Sequence, residues 1–167
     1  GADLLLGGAG DDLIDGSAGN IWDYNQLPGD DTLSGGSGSD TLRGGGGNDV
    51  YVYNRGDGYD EIQDYYYFHE RVSLGSIRSP VEMNGGTDTI RFGSGISYED
   101  LWVSLDGDDL VIGLRDGDTD LYGLSDLLRI TDADNPLRAI EQIQCEDGTI
   151  IQVSDLVTDL DGSGEAD

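Results

Sequence analysis

Aspartates and glycines recur in this chain with a fixed spacing that suits the binding of a hard cation. The sequence follows a nine-residue pattern, G-G-x-G-x-D-x-U-x with U a bulky apolar residue, from Gly7 to Asp15 and without interruption from Gly29 to Val52. Glycines permit tight left-handed turns, which point carbonyl oxygens inward, and the aspartate adds a carboxylate. Such oxygen ligands in a flexible cage suit calcium. The pattern therefore predicts several calcium ions.

The predicted metal sites combine the sixth-position aspartates with glycines of the same loops. The aspartates are Asp3, Asp12, Asp31, Asp40, Asp49, Asp60 and Asp88. The glycines are Gly8, Gly10, Gly29, Gly36, Gly38, Gly45, Gly47, Gly58 and Gly86. A degenerate repeat at 16–21 has Ile21 where the aspartate belongs, so we expect no regular site there unless Asp23 shifts the register.

The three residues that end each repeat predict a short strand with its apolar residue turned inward. One repeat cannot bury that residue alone, but stacked repeats can, and two repeats would make one full turn. We therefore expect an all-β fold, a calcium-loaded parallel β-roll with two sheets, capped by a small antiparallel β domain. Two ladders are predicted, one of Asp3, Ile21, Asp40 and Asp60 and the other of Asp12, Asp31, Asp49 and Asp88. Leu5, Leu42 and Ile62 would line one sheet, and Ile14, Leu33, Tyr51 and Ile90 the other.

These repeats resemble the RTX family, the hemolysin-type calcium-binding repeats of secreted bacterial toxins, proteases, lipases and adhesins. The resemblance covers residues 1–63, and the segments around Asp88, Leu101, Asp109 and Ile140 look like the small β domain that often follows such repeats. The resemblance implies export by type I secretion machinery through a larger parent protein, followed by calcium-dependent folding outside the cell. The expected function is that of a calcium-binding module of a secreted bacterial protein.

The composition excludes several other classes of protein. The chain has 8 Lys and Arg against 35 Asp and Glu, a net charge of −27, which argues against a nucleic-acid partner. Self-repulsion of this size opposes the compact state, so the ion-free repeats are expected to be close to disordered. Cys145 is the single cysteine, which leaves no internal disulfide. No apolar run is long enough to span a membrane.

The pattern divides the chain into four parts. Residues 1–63 are the predicted roll, 64–83 an aromatic insertion, 84–156 a last roll turn with the capping β domain, and 157–167 an acidic tail. Within 84–156 we predict a hairpin with the turn at 106–109, a third strand near 120–124, and a second hairpin around 146–148. Ser97 is expected to cap a short helical turn before the first hairpin. Trp102 is expected to face inward.

The aromatic insertion has two interpretations. Its consecutive rings, Tyr65 to Phe68, could bind a sugar or a protein, since aromatic residues dominate recognition surfaces. This is the alternative function, a calcium-rigidified adhesin module. The rings could instead close the end of the roll against the following strands, which we favour. His69 beside Glu70 is expected to be a surface residue.

No enzyme motif is present in the sequence, so the chain is expected not to be an enzyme. A single histidine cannot form a histidine cluster for zinc, and no nucleophile elbow, P-loop or HExxH motif occurs. In the tail, Asp159, Asp161 and Ser163 follow the start of an EF-hand loop and form a second candidate calcium loop, with a polar linker as the equal alternative.

Overall fold

The fold is built from short strands that alternate between two sheets. The computed structural model describes residues 1–17, 29–68, 81–83, 85–115 and 124–161. The first sheet contains, in chain order, β1 Leu4–Ala9, β3 Thr32–Ser37, β5 Val50–Tyr53, β9 Thr89–Phe92, β13 Gln142–Gln144 and β14 Ile150–Gln152. The second contains β2 Leu13–Asp15, β4 Thr41–Arg43, β6 Tyr59–Ile62, β10 Leu101–Asp106, β11 Asp109–Leu114 and β12 Leu127–Ile130. A separate hairpin pairs β7 Tyr66–Phe68 with β8 Val81–Met83.

Strand pairing is mostly parallel, as the repeat predicts. In the first sheet β1, β3, β5, β9 and β13 are parallel neighbours, and in the second β2, β4, β6 and β12 are. Successive strands of the repeat region belong to opposite sheets, so the chain winds as a roll. The expected all-β, two-sheet β-roll is confirmed.

The core consists of the apolar residues that the repeat places at the centre of each strand. Leu33, Tyr51, Ile90 and Ile143 are aligned in the first sheet, and Ile14, Leu42, Ile62 and Ile130 in the second. Each of these side chains is at most 9% exposed. Burying side chains of this size contributes about 1.5–3 kcal/mol each, so the stacked U positions supply the main apolar stabilisation.

The expected distribution of the first two strands was wrong. Leu5 pairs with Leu33 and Ile14 with Leu42, so these two residues exchange sheets relative to the prediction. Equivalent residues of the first two turns lie 28 positions apart, whereas Asp31 and Asp49 lie 18 apart. The chain between β2 in the second sheet and β3 in the first therefore counts as one lengthened passage between the sheets.

Strands from the C-terminal part join the same two sheets as the roll. β9 and β13 extend the first sheet and β12 the second, all in parallel. The two predicted hairpins are present, as β10 with β11 and β13 with β14. A 3₁₀ turn at Tyr98–Asp100 is capped by Ser97, whose Oγ donates to Asp100 Oδ2 at 2.7 Å. Of the strand predicted near 120–124, residues 120–123 lie outside the described part, and Leu124 is not in a strand.

Two features of this part differ from the expectations. Trp102 is only half-buried, and the inward residues of the second sheet here are Leu110, Ile112 and Leu128. An unpredicted helix, α1 Val153–Asp161, contacts β10 and β14. Its apolar residues Val153, Leu156 and Val157 pack on the core because helical spacing places them on one face.

Replacing Ile130 by alanine tests whether the C-terminal strands and the roll fold together. Ile130 is fully buried and lies beside Ile62 of the repeat region. Such a truncation costs about 2–5 kcal/mol, so the calcium concentration at the folding midpoint should rise in a titration followed by circular dichroism. Ile150→Ala, at a position 56% exposed, is the control and should have little effect. An unchanged midpoint in Ile130→Ala would mean that the two parts fold separately.

Candidate calcium sites

The loops between the sheets lie along two edges of the roll. Edge 1 contains the loops 7–12, 35–40 and 54–60, and edge 2 contains 44–49, 85–88 and the described ends of the passage from Gly16 to Asp31. The second and fourth glycines adopt positive φ, as at Gly36 (94°) and Gly38 (150°). A side chain on Gly36 would also collide with the carbonyl oxygen of Gly8. Glycine is therefore required both for the turn and for close stacking of successive loops.

A hydrogen bond of one kind links the sixth-position aspartates of successive turns. The backbone N–H of each aspartate donates to Oδ1 of the aspartate one turn further on. On edge 2 these bonds join Asp3 to Asp31 (2.8 Å), Asp31 to Asp49 (2.7 Å) and Asp49 to Asp88 (2.7 Å). On edge 1 they join Asp12 to Asp40 (2.8 Å) and Asp40 to Asp60 (3.1 Å).

The ladders differ from the predicted ones at their first rungs. Asp3 belongs with Asp31 on edge 2, and Asp12 belongs with Asp40 on edge 1, so the two exchange places. The cause is the lengthened passage that also exchanges Leu5 and Ile14. Ile21, which was expected to interrupt a ladder, lies outside the described residues.

Each ladder leaves carboxylate oxygens without a protein donor. Among the described residues, Oδ2 of Asp12, Asp40, Asp49 and Asp60 is buried and has no hydrogen-bond partner. In the first loop, Oδ2 of Asp12 lies 2.8 Å and the carbonyl oxygen of Gly35 2.5 Å from the position that a Cβ would take on Gly7. The space beside the first glycine is thus bordered by carboxylate and carbonyl oxygens. Buried oxygens of this kind call for a cation, and the donor set fits calcium.

The loops would rely on backbone carbonyls as much as on side chains. In the described part of the chain, no three Asp, Glu, His or Cys side chains form a preassembled metal site. Calcium takes six to eight oxygen ligands, including carbonyls, so successive loops of an edge can share one ion between them.

Burial makes the ladder carboxylates hard to ionise without a cation. The pKa of Asp49 is raised to about 6 and that of Asp60 to about 7, first by burial and then by neighbouring carboxylates. Burial and the charge of Asp64 also raise the pKa of Asp88. A divalent ion would favour the charged forms and remove this cost.

Glu141 extends edge 2 beyond the repeats and was not predicted. It occupies the place of a sixth-position aspartate, because Gln142 pairs with Thr89. Its Oε2 accepts a hydrogen bond from the N–H of Asp88 at 2.7 Å, as the ladder aspartates do. The segment from Glu141 to Gln144 repeats the end of the nine-residue pattern with glutamate for aspartate, which is the signal that could have identified it.

Asp126 lies next to the last loop of edge 1, which contains the last ladder aspartate, Asp60. In earlier loops the N–H of the fourth glycine donates to a carbonyl of the next turn, as Gly38 does to Asp57 (2.8 Å). In the last loop the N–H of Gly58 donates instead to Oδ1 of Asp126 (3.2 Å), and that of Gly56 donates to the same carboxylate (3.1 Å). The Asp126 carboxylate thus replaces the missing next loop.

The remaining predicted site residues are placed as follows. Gly8, Gly10, Gly45, Gly47, Gly58 and Gly86 all have positive φ, and Gly29 stacks under Gly47 on edge 2. Asp159 and Asp161 lie in the last turn of α1, and Ser163 lies outside the described residues. The candidate tail loop therefore remains a prediction.

The insertion contacts the roll at its first aromatic residue. The ring of Tyr65 is half-buried and lies under two guanidinium groups, those of Arg43 (5.6 Å) and Arg138 (5.7 Å). Both contacts are within the range of cation–π attraction. His69 and Glu70 lie outside the described residues.

A parallel two-sheet roll with stacked glycine and aspartate loops defines the class of calcium-binding β-rolls. The sequence pattern of the RTX calcium-binding nonapeptide repeat matches residues 1–20 and 27–60, in four copies. These residues therefore carry RTX repeats, which bind calcium, and the cofactor they support is calcium. RTX repeats are typical of calcium-binding modules of secreted proteins and are typically non-catalytic. No curated protein matches the chain. No helix in the described ranges is long and apolar enough to cross a membrane.

The raised pKa values predict that the calcium-free roll becomes less stable as the pH rises. The folded state keeps protons on Asp49 and Asp60 between their ordinary pKa of 3.8 and about 6 or 7, whereas the unfolded chain has lost them. Stability from these groups is complete below about pH 4 and lost by about pH 7. In chelator, circular dichroism should therefore show more β structure at about pH 5.5 than at about pH 7.5.

The variant Asp60→Asn is the control for this pH effect. An amide stays neutral at both pH values, so the gain on acidification should be smaller than in the unchanged chain. An equal gain in both chains would show that the effect comes from the general fall in negative charge.

Proposed function

We propose that this chain is a calcium-triggered folding module, which is exported unfolded by type I secretion machinery as part of a larger bacterial protein. The observation that carries this proposal is the set of buried, unpartnered Oδ2 atoms of Asp12, Asp40, Asp49 and Asp60. Without a cation these oxygens oppose the compact state, and with one they link successive turns. Folding and metal binding would therefore be one event.

The difference in calcium concentration between the cytosol and the outside of the cell would determine where the chain folds. Extracellular calcium modules bind with a Kd of about 10⁻⁴–10⁻³ M, which is far above the calcium available in a cytosol. The net charge of −27 keeps the ion-free chain expanded, which suits passage through a secretion channel. The chain would then fold outside the cell.

We further propose that residues 84–156 complete and terminate the roll. A solenoid needs terminal elements because its ends otherwise expose apolar residues and unpaired strand edges. The antiparallel strands β10, β11 and β14 follow the last parallel strands of their sheets, and the Asp126 carboxylate occupies the place of a further loop on edge 1. Both features support a capping role.

The chain would have no catalytic role of its own. Most of the buried acids in the described residues belong to the ladders, and the typical RTX repeat is non-catalytic. An adhesin role through residues 64–83 is less well supported, because the Tyr65 ring lies against Arg43 and Arg138 and is half-buried by its own chain. This contact favours a structural role for the insertion.

The proposal predicts a calcium-specific folding transition. In excess chelator the chain should be largely unstructured at neutral pH, and about 1 mM calcium should produce the circular dichroism of a β protein. Magnesium at the same concentration should fail, because it requires a tight octahedron and gives up its waters reluctantly. Full β structure in chelator at neutral pH would overturn the proposal.

A further inference from the structure

Asp64 is a buried acid that the nine-residue repeat does not account for. It lies two residues after the end of β6 and takes the position held by the first glycine in the loops at Gly7, Gly35 and Gly44. Only 2% of Asp64 is exposed. Its Oδ1 accepts hydrogen bonds from the N–H of Gly45 (3.0 Å) and from the hydroxyl of Tyr51 (2.8 Å).

Its other oxygen faces a small space lined by oxygen atoms. From the position that a Cβ would take on Gly85, the carbonyl oxygen of Gly45 lies at 2.6 Å, Oδ2 of Asp64 at 3.2 Å and Oδ2 of Asp88 at 3.7 Å. In a regular loop the space beside the first glycine, Gly7, is bordered by one carboxylate and one carbonyl oxygen. The space beside Gly85 therefore has a second carboxylate.

The two carboxylates are close enough to need a positive charge between them. Oδ2 of Asp64 and Oδ2 of Asp88 border the same space beside Gly85, and the two residues are 2% and 1% exposed. Two buried carboxylates that face one small space must share either a proton or a cation.

A third buried acid close by has an oxygen with no donor. Asp49 is fully buried, and its Oδ2 has no hydrogen-bond partner among the described residues. This oxygen and the hydroxyl of Tyr51 border the same space beside Gly44. The Tyr51 hydroxyl in turn donates a hydrogen bond to Asp64. The orphan oxygen thus points to a cation in this region.

We propose that Asp64 and Asp88, with the carbonyl oxygen of Gly45, bind a calcium ion at the point where the 64–83 insertion leaves the roll. The inference rests on the proposed function, since it assumes that the loops of edge 2 bind calcium. It adds a ligand outside the repeat pattern, one that brings two carboxylates to one ion. Because Asp64 is the first residue of the insertion and Asp88 follows its end, the ion would link both ends of the insertion to the roll.

The test is the number of calcium ions bound per chain, measured by native mass spectrometry and by calorimetry at a concentration that saturates the unchanged chain. Asp64→Asn keeps the shape of the side chain and its ability to accept hydrogen bonds from Gly45 and Tyr51, but it removes the charge. We expect this variant to bind one ion fewer. Asp109→Asn is the matched control, because Asp109 is a half-buried acid of β11, outside the loops of both edges, whose carboxylate accepts hydrogen bonds from Arg129 and from the N–H of Asp132, and its ion count should not change.

A second variant guards against a failure of Asp64→Asn to fold. Asp64→Gly restores the residue that the regular loops have at this position, so it should keep the turn while leaving only one carboxylate, that of Asp88, at the site. The calcium midpoint of this variant should therefore be higher than that of the unchanged chain. If the folded variant binds as many ions as the unchanged chain with the same calcium midpoint, the pair shares a proton and the inference is wrong. If the unchanged chain binds no calcium, the proposed function itself fails.

Discussion

The fold depends on the burial of aspartate carboxylates in two columns, where each lies one strand spacing from the next. Parallel stacking makes this unavoidable, because the register that aligns Leu33 with Tyr51 also aligns Asp31 with Asp49. After the first aspartate of each column, one oxygen of each carboxylate accepts a hydrogen bond from the N–H of the preceding aspartate. On several aspartates the other oxygen has no protein donor among the described residues. The apolar core and the metal ladder are therefore consequences of a single register. A cation that satisfies the columns also stabilises the sheets between them.

This coupling explains why the repeat tolerates so few side chains in its loops. The first glycine leaves room for the carboxylate of its own loop, and the second and fourth allow the backbone to turn against the next loop. Where the repeat pattern ends, side chains accept the hydrogen bonds that loop atoms accept elsewhere. Glu141 replaces an aspartate on edge 2, and the Asp126 carboxylate replaces a backbone carbonyl on edge 1. At the end of the repeats, single side-chain groups thus occupy the places of loop atoms. Both sheets continue beyond this point with strands that lack the repeat pattern.

The period predicts the fold well because the same residues set the turns, the strands and the core. Leu33, Leu42 and Tyr51 are buried as their positions in the repeat require. The order of the ladders is not predictable from the repeat, because equivalent residues of the first two turns lie 28 positions apart and those of the next turns about 18 to 20 apart. Asp64 and Asp126 could not be found either, since each is one acid among 35 and its role depends on tertiary contacts. The helix α1 was predictable in principle, because Val153, Leu156, Val157 and Leu160 have helical spacing.

The most direct test of this account is a crystal structure of the chain grown in calcium, with the ions located by their anomalous scattering. The account predicts ions between successive loops of each edge, in contact with Oδ2 of Asp12, Asp40, Asp49 and Asp60. The ladder bonds from each N–H to the next Oδ1 should remain in place. Ions confined to the outer surface, with those Oδ2 atoms protonated or bound to protein donors, would contradict the claim that calcium in the carboxylate columns holds the roll together.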